Sequence, residues 1–448
     1  MSTYEPNLLT IRFQGAPMAT LAFRPDRQEH ALLFERQFVD LRHDLSPAHL
    51  PLAQFGLGVH IFRPGDSPFV GGLPGLIADS LPDAWGERML RKEVEGGLRT
   101  VLGKLAAIGL RGPGALTFEP TLGAGRDEIV TTEHLSDLAK EADALRSSPV
   151  PLGSGPVAEA LARGGSSLGG AFPKTSAHLP MDCAILERSE ILIGGQTPQG
   201  YSPCILKFAR TDEAEGAVEF AFWQMAKAAG IRVPNACLVV DGKQRHFASA
   251  RFDRVPLPAG GWGRRHVHTL AGMLHKRAAD GAIDYGEFLR LTQRLCGPAE
   301  AHECFRRAVF NLLATNRDDH GRNHAFLYDE GSRSWTLTPA YDLNPNVVNV
   351  LIGLSWLDSM EIPKRFDELL RLAEVVSIDG GQARAIYEEV EAAVGGWPNY
   401  AAMAGVPAEI ATYWQHEILT QTAALRASAR HAQPHATVPP PPRGGRKP

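Results

Sequence analysis

The chain has 448 residues, 44% hydrophobic and 21% charged, and at roughly 100–200 residues per domain it has room for two or three packed units. Its formal net charge of −4 excludes the basic field that recruits a direct, non-specific DNA binder or an anionic-membrane binder, so any contact with DNA would run through a separate basic partner. The five cysteines (Cys183, Cys204, Cys237, Cys296 and Cys304) are odd in number, widely spaced and without a C-x-x-C, which reads as reduced thiols of a cytoplasmic protein and excludes a disulfide frame or zinc knuckle.

From the start of the chain, MSTYEPNLLTIRFQG lacks a basic segment followed by an apolar one, so no secretory signal is expected. No apolar run reaches the roughly 18 residues of a membrane-spanning helix. Residues 8 to 70 read as strand-rich. In LLTIRFQGAPMATLAFRP, Leu9, Ile11 and Phe13 alternate, a turn with glycine follows, and ATLAF begins a second strand. HALLFERQFV is a further strand candidate. DSLPDAWGERMLRKEV predicts a helix capped by Asp79 or Ser80, with Leu81, Trp85, Met89 and Leu90 on one apolar face. LAAIGLRGPGALTFEP carries glycines at 109, 112 and 114 before a short apolar run.

A helix is expected over about 132–146, followed by the glycine- and serine-rich LARGGSSLGGAFPKTSAHL. PCILKFAR is a short strand with Lys207 among apolar neighbours. GAVEFAFWQMAKAAG is an amphipathic helix with Val218, Phe222, Met225 and Ala229 on one side and Gly230 as its stop. RVPNACLVVDGKQRHFASARFDR reads as two strands about Asp241-Gly242. From about 285 the chain is mostly helical, and Phe305, Ala308, Val309, Leu312 and Leu313 form a buried stripe leading into NRDDHGRN. The last residues, QPHATVPPPPRGGRKP, have the composition of a disordered tail.

Four polar features stand in order along this framework. GGSSLGGAFPKT offers backbone N–H groups that can approach anionic oxygens. It is not a Walker A loop, because Pro173 precedes Lys174, and its glycine content alone favours a flexible surface loop. Lys207 on a buried-type strand needs an anion, and Glu219 on the following helix is the candidate, with Glu213 and Glu215 nearby; the plainer reading is an edge lysine reaching water. Asp318 and Asn323 have the spacing by which a protein-kinase catalytic loop sets a proton-accepting carboxylate near a metal-binding amide. Alone, that spacing is a weak signal that occurs often by chance, and it reads first as a solvated or capping loop. Asp342, after a short apolar strand, is a second carboxylate able to hold a hard cation. His266 and His268 share one face of a strand without a third ligand and read as satisfied structural histidines. His320 and His324 are four apart, but Gly321 argues against a regular helix there, and no G-x-S-x-G elbow supports a hydrolase.

In this order and spacing, SLPDAWGERML, RGPGAL, SSLGGAFPK, ILKF, VEFAFWQMAKAAGIRVP, ARFDR, FNLLATNRDDHGRN and LTPAYDL resemble the HipA family of serine/threonine kinase toxins, over nearly the whole chain to about residue 430. The resemblance implies an α+β, bilobal protein-kinase-like fold with an additional N-terminal β-rich subdomain and a mostly α-helical C-terminal lobe. The expected division is a β-rich subdomain over 1–125, an N-lobe over 126–260, a helical C-lobe over 261–432 and the tail over 433–448. By resemblance Asp318 is the catalytic aspartate, and Asn323 and Asp342 hold Mg²⁺. ATP meets Gly169, Gly170, Ala171, Phe172, Pro173 and Lys174 of the glycine-rich loop, Lys207, and the hinge Ala250, Arg251 and Phe252. His320, Gly321, Arg322, Asn323, Tyr341 and Asp342 line the same site. Ser167, or Ser166 beside it, matches the autophosphorylated serine whose modification ejects the loop. Ala250 and Phe172 depart from polar residues that some members carry, and the Pro-rich tail has no counterpart in the pattern.

The same resemblance implies a HipB-like helix-turn-helix antitoxin as partner, DNA contact through that antitoxin, no membrane, and a protein substrate of the aminoacyl-tRNA synthetase class. Two other readings stay open on sequence alone: a pseudokinase acting as a co-repressor, and a small-molecule kinase.

Overall fold

The computed structural model describes residues 5–93, 98–122, 129–147, 155–165, 167, 170, 172–209, 214–346, 353–357, 359 and 361–431. Ser166, Gly169, Ala171 and the tail 433–448 lie outside the described residues. The first sheet is antiparallel and holds β1 (Leu8–Phe13), β2 (Ala16–Arg24), β3 (Glu29–Phe34), β4 (Val59–Phe62) and β5 (Leu116–Glu119) in the order β4-β3-β2-β1-β5. Alternation puts Leu9, Ile11 and Phe13 on its buried face. The strand predicted over HALLFERQFV stops at Phe34. A short helix, Arg36–Leu41, takes over and turns Phe38 into the core.

The helix predicted from Asp79 begins instead at Ala84 and runs to Glu93, after a separate short helix, Gly75–Ala78. Asp79 ends the short helix through its backbone N–H, but its side chain caps neither helix, because the carboxylate accepts from His268 Nδ1 at 2.6 Å and from Thr269 N and Oγ1, each at 2.7 Å. Of the predicted apolar face, Trp85, Met89 and Leu90 are buried, while Leu81 lies before the helix and is half-buried.

The second sheet holds β6 (Thr131–His134), β7 (Lys174–Leu179), β8 (Ile185–Glu187), β9 (Glu190–Ile193), β10 (Ser202–Lys207), β11 (Ala236–Asp241) and β12 (Gln244–Ala250). Its order is β6-β9-β7-β10-β12-β11-β8. Its core takes Leu179, Ile193, Leu206 and Ala248 from the strands, and also Trp85 and Met89 from the helix of the first unit. Packing therefore crosses the boundary that the chain order suggests. The helix Glu215–Ala228 lies against β12 and β11.

The second lobe is mainly helical, built on Tyr285–Cys296, Pro298–Leu313, Gly380–Gly395 and Ala408–His431. A two-stranded ribbon, β13 (Arg254–Pro256) and β14 (Trp262–Arg264), precedes a sheet of β15 (His266–Thr269), β16 (Ala325–Asp329) and β17 (Ser334–Leu337). The expected stripe on Pro298–Leu313 is buried at Phe305, Ala308, Val309, Leu312 and Leu313. That helix ends at Ala314 and delivers the chain directly into Asn316–Asn323. The fold is α+β and bilobal. No helix among the described residues is long and apolar enough to cross a membrane.

Candidate active site

Between the lobes lies a cleft of about 540 Å³, the size of a small-ligand site. Lys207, the last residue of β10, points its ammonium into the floor of this cleft and bonds both Glu219 Oε1 and Asp342 Oδ1. Of the nearby glutamates, Glu215 is taken by Arg146 at 3.0 Å, and Glu213 lies outside the described residues. Burial opposes the charge on Lys207, but Asp342 and Glu219 outweigh it and drive its pKa up. Burial likewise opposes ionisation of Asp342, yet Lys207 and Lys174 hold it well below the usual carboxylate range. Lys174 faces Lys207 across the β7–β10 ladder, and burial lowers its pKa against the pull of Asp342. The floor is thus a compact set of two ammonium and two carboxylate groups. Asp342 adopts a left-handed backbone, φ 54°, uncommon outside glycine and suited to a constrained functional loop.

Asp318 stands at the cleft with its side chain 41% exposed and His320 Nε2 at 3.9 Å. Partial burial raises its pKa, His320 works the other way, and Asp342 adds to the rise. Asn323 Nδ2 donates to the Asp318 carbonyl at 2.7 Å, which ties the two ends of the D-x4-N loop and leaves the Asn323 amide oxygen as the group a cation could take. Behind the loop, Asn316 Nδ2 donates to Asn311 Oδ1 at 3.1 Å, and Asn316 Oδ1 accepts from Asp318 N at 3.3 Å. Asp319 points away from the cleft. Its buried carboxylate accepts from Tyr285 Oη and from Asn311 Nδ2, and burial pushes it up to about 6.

The first unit reaches the same cleft. Asp83 Oδ2 accepts from Gly170 N at 2.6 Å, and Asp83 Oδ1 accepts from Arg322 Nη1. Gly170 has φ +90°, a conformation that favours glycine. Trp85 Nε1 donates to the Lys174 carbonyl at 2.8 Å. At the other end, Gly114 N donates to Asp253 at 2.9 Å, and Arg251 and Arg254 hold the same buried carboxylate at 2.8 and 2.6 Å. These two arginines keep Asp253 ionised despite its burial.

The profile described as HipA-like C-terminal domain matches residues 166–397, and that described as HipA N-terminal domain matches residues 9–119. The chain belongs to the HipA family. A chain of the Shewanella oneidensis MR-1 toxin–antitoxin complex of HipA, HipB and operator DNA aligns over 94% of this chain and 98% of that chain, with TM-score 0.69 and 17% identity. At that identity the likeness speaks for the fold. The Helicobacter pylori proinflammatory kinase CtkA aligns over 52% of this chain and 90% of its own at 11% identity, and its TM-score of 0.35 is too low to carry an argument. No curated protein sequence matches this chain.

In this HipA-family chain the cleft gathers Ser167, Gly170, Phe172, Lys174, Lys207, Ala250, Arg251, Phe252, Asp318, His320, Arg322, Asn323, Tyr341 and Asp342. Two predicted residues stand behind its wall. Pro173 is buried and accepts from Phe208 N at 3.0 Å, and Gly321 is packed against Ile283 and Ala271. At the expected hinge, Ala250 N and Arg251 N are spent on the carbonyls of Asn235 (2.7 Å) and Pro203 (2.9 Å). Phe252 sits 5.4 Å from the Tyr341 ring, and Tyr341 Oη donates to the Arg322 carbonyl at 2.7 Å. Phe172 is half exposed under the Arg146 guanidinium.

The histidine pair on β15 is buried in the structure, with His268 satisfied on both ring nitrogens as expected and His266 on Nε2 but not on Nδ1. His266 Nε2 meets the Leu45 carbonyl at 3.3 Å, and His268 bridges Asp79 and Ser46 Oγ, the latter at 3.0 Å. That Ser–His–Asp connectivity resembles a hydrolase triad, but Ser46 is 1% exposed and no substrate carbonyl can reach it. Sequence reasoning missed Asp79, Asp83 and Asp319, whose partners lie far away in the chain. A second groove, of about 740 Å³ beside β8 and β9, contains none of the predicted residues.

Proposed function

We propose that the chain is an ATP- and Mg²⁺-dependent serine/threonine protein kinase acting as the toxin of a toxin–antitoxin pair. The observation that carries this reading is Lys207, held between Glu219 and Asp342 on the floor of a cleft that also holds Asp318 and Asn323. This is the arrangement phosphoryl transfer requires: a fixed ammonium for phosphate oxygens, and a carboxylate placed to take a hydroxyl proton. The donor set suits magnesium arriving with nucleotide. Asp342 and Asn323 offer hard oxygen donors, while among the described residues no group of three or more His, Cys, Asp or Glu side chains could hold an ion by itself. When bound there, magnesium supplies charge neutralisation on the transferred phosphate.

In this mechanism the acceptor hydroxyl gives its proton to Asp318, whose orientation Asn323 and Asn316 fix through the backbone. Lys207 stays protonated, because Glu219 pairs with it independently of Asp342, the carboxylate that would hold the cation. Lys174 and the glycine-rich loop, whose Gly170 N–H Asp83 holds, meet the phosphate end, and Ala250–Phe252 flank the base, with the Ala250 and Arg251 N–H groups already paired with Asn235 and Pro203. Ser167, buried at the cleft wall, is the acceptor for self-inactivation, with Ser166 as its alternative. The expected units over 1–125, 126–260 and 261–432 supply the β-rich subdomain and the two lobes.

The partner we propose is a HipB-like antitoxin. The Shewanella complex holds HipB and operator DNA, and the net charge of −4 leaves DNA contact to a partner. The target class we propose, from the family resemblance, is an aminoacyl-tRNA synthetase in the cytoplasm.

The test is transfer of radiolabelled phosphate from ATP to protein by the purified chain. Asp318→Asn is expected to lower transfer at least about 100-fold and relieve growth arrest, with the urea midpoint unchanged. Undiminished transfer by that variant would overturn the assignment. Phosphoproteomics after induced expression identifies the target.

A further inference from the structure

Five hydrogen bonds leave the short segment Leu81–Trp85 for two separate parts of the cleft. Arg322 Nη1 and Nη2 donate to Asp83 Oδ1 and, at 3.3 Å, to the Leu81 carbonyl. Gly170 N donates to Asp83 Oδ2 at 2.6 Å. Trp85 N and Nε1 donate to the carbonyls of Gly170, at 3.4 Å, and Lys174, at 2.8 Å. Asp83 precedes the helix Ala84–Glu93, the position from which an aspartate ordinarily caps its own helix. Here both carboxylate oxygens are spent elsewhere. One carboxylate thereby joins the glycine-rich loop to the catalytic loop, 239 residues from Arg322 in the chain. Trp85, 1% exposed in the core of the second sheet, gives the segment a rigid seat.

We propose that Asp83 is a positioning residue for nucleotide: a carboxylate from the N-terminal unit that sets the Gly170 backbone against Arg322 and so shapes the phosphate end of the cleft. The proposal rests on the kinase reading for its consequence and on geometry for the tie itself. Asp83 touches no reacting atom. It acts through Gly170 and Arg322, so its loss weakens nucleotide binding and leaves the proton transfer at Asp318 intact.

The experiment has a catalytic arm and a structural arm, both on the full chain. Asp83→Ala is expected to raise KM for ATP about tenfold, as for a lost charge-assisted hydrogen bond, with kcat within about threefold of the parent. Asp83→Asn keeps an oxygen for Gly170 and loses the charge facing Arg322, so its KM falls between the two. Arg322→Ala combined with Asp83→Ala is expected to be no worse than Arg322→Ala alone. A purely structural role would reduce the active fraction, lowering kcat at constant KM, and would overturn the proposal. So would tighter ATP binding by either variant, which would mean that Asp83 competes with phosphate. In the structural arm, hydrogen exchange at the Gly170 amide is expected to accelerate in Asp83→Ala, and unchanged exchange overturns the tie. That arm needs no catalysis: a chain that transfers no phosphate sinks the kinase reading and leaves the tie decided by exchange.

Discussion

Replacing Lys207 by methionine tests the charge set on the cleft floor. The ammonium is 15% exposed and serves two carboxylates, Glu219 at 9% and Asp342 at 28%. Methionine fills a similar volume, so the perturbation is chiefly the lost charge. Removing one partner of a buried pair costs about 3–5 kcal/mol, because the other charge is left without compensation. Asp342 is more than a quarter open to water and Lys174 still faces it, so the lower end, about 3 kcal/mol near pH 8, is expected.

The variant also acquires a pH dependence of determinate sign. Burial already raises the Glu219 carboxyl, and Lys207 is the largest influence holding it down. Without Lys207 its folded pKa rises further above the unfolded value. The stability of the variant is then fullest in acid and falls as pH rises through that folded pKa. Lys207→Met should therefore be closer to the parent at pH 5 than at pH 8. Glu219→Gln, added to it, should restore about half of the loss at pH 8, because a neutral amide needs no counter-charge. Urea unfolding of the parent, both single variants and the double variant at the two pH values measures this. A parent-like Lys207→Met at pH 8, or a double variant less stable than the single one, would refute the coupling. Phosphate transfer should be lost in both Lys207 variants, which separates stability from function.

Asp319, pushed up to about 6 by burial, binds its proton more tightly folded than unfolded. Its contribution is full well below about pH 4 and lost through 6, so the parent should lose roughly 2 kcal/mol relative to Asp319→Asn between pH 4 and pH 6, and parallel curves would refute the shift. His49 and His275 stack with ring centroids 3.6 Å apart where the first unit meets the second lobe. Burial, then the neighbouring His49 and His268, depress His275 to about 4, and burial also lowers His49. Stability from this pair is present above about pH 6.5 and lost as pH falls towards 4, so His49→Phe, which keeps the stack and removes one proton site, should flatten the acid limb of urea stability; an unchanged limb would refute it.

Local pattern made much of the site legible. Lys207 alternates on a short strand, Glu219 lies four residues into the next helix, and the buried stripe on Pro298–Leu313 runs straight into Asp318. Each signal is carried by neighbours in sequence, which periodicity can report. The illegible residues depend on distant partners. Asp79 reads as a helix cap, but His268 and Thr269 claim it. Asp319 reads as the idle neighbour of Asp318 until Tyr285, 34 residues upstream, is brought over it. Trp85 and Met89 announce an apolar face, but nothing local says that the face belongs to the second sheet. The strand expected across HALLFERQFV fails for a different reason. Strand and helix share apolar residues there, and tertiary packing of Phe38 decides for helix after Phe34.

These long-range contacts make the N-terminal unit a structural part of the kinase-like body. Its glycines permit close approach: a Cβ at Gly114 would meet Val267 N at 2.9 Å. Its backbone completes charge sets in the other lobe. Gly114 N and two arginines share Asp253, and Arg264 Nη2 donates to the Gly112 carbonyl at 2.7 Å. Without the first unit, the Arg251–Asp253–Arg254 cluster would lose its backbone donor and acceptors, and the second sheet would lose Trp85 and Met89 from its core. An unpartnered buried polar group costs about 1–3 kcal/mol, and a large buried side chain costs more. A unit attached only by a linker would impose neither cost. The same reasoning makes Asp83 part of the cleft, because its carboxylate depends on a helix seated in one core and a loop seated in the other.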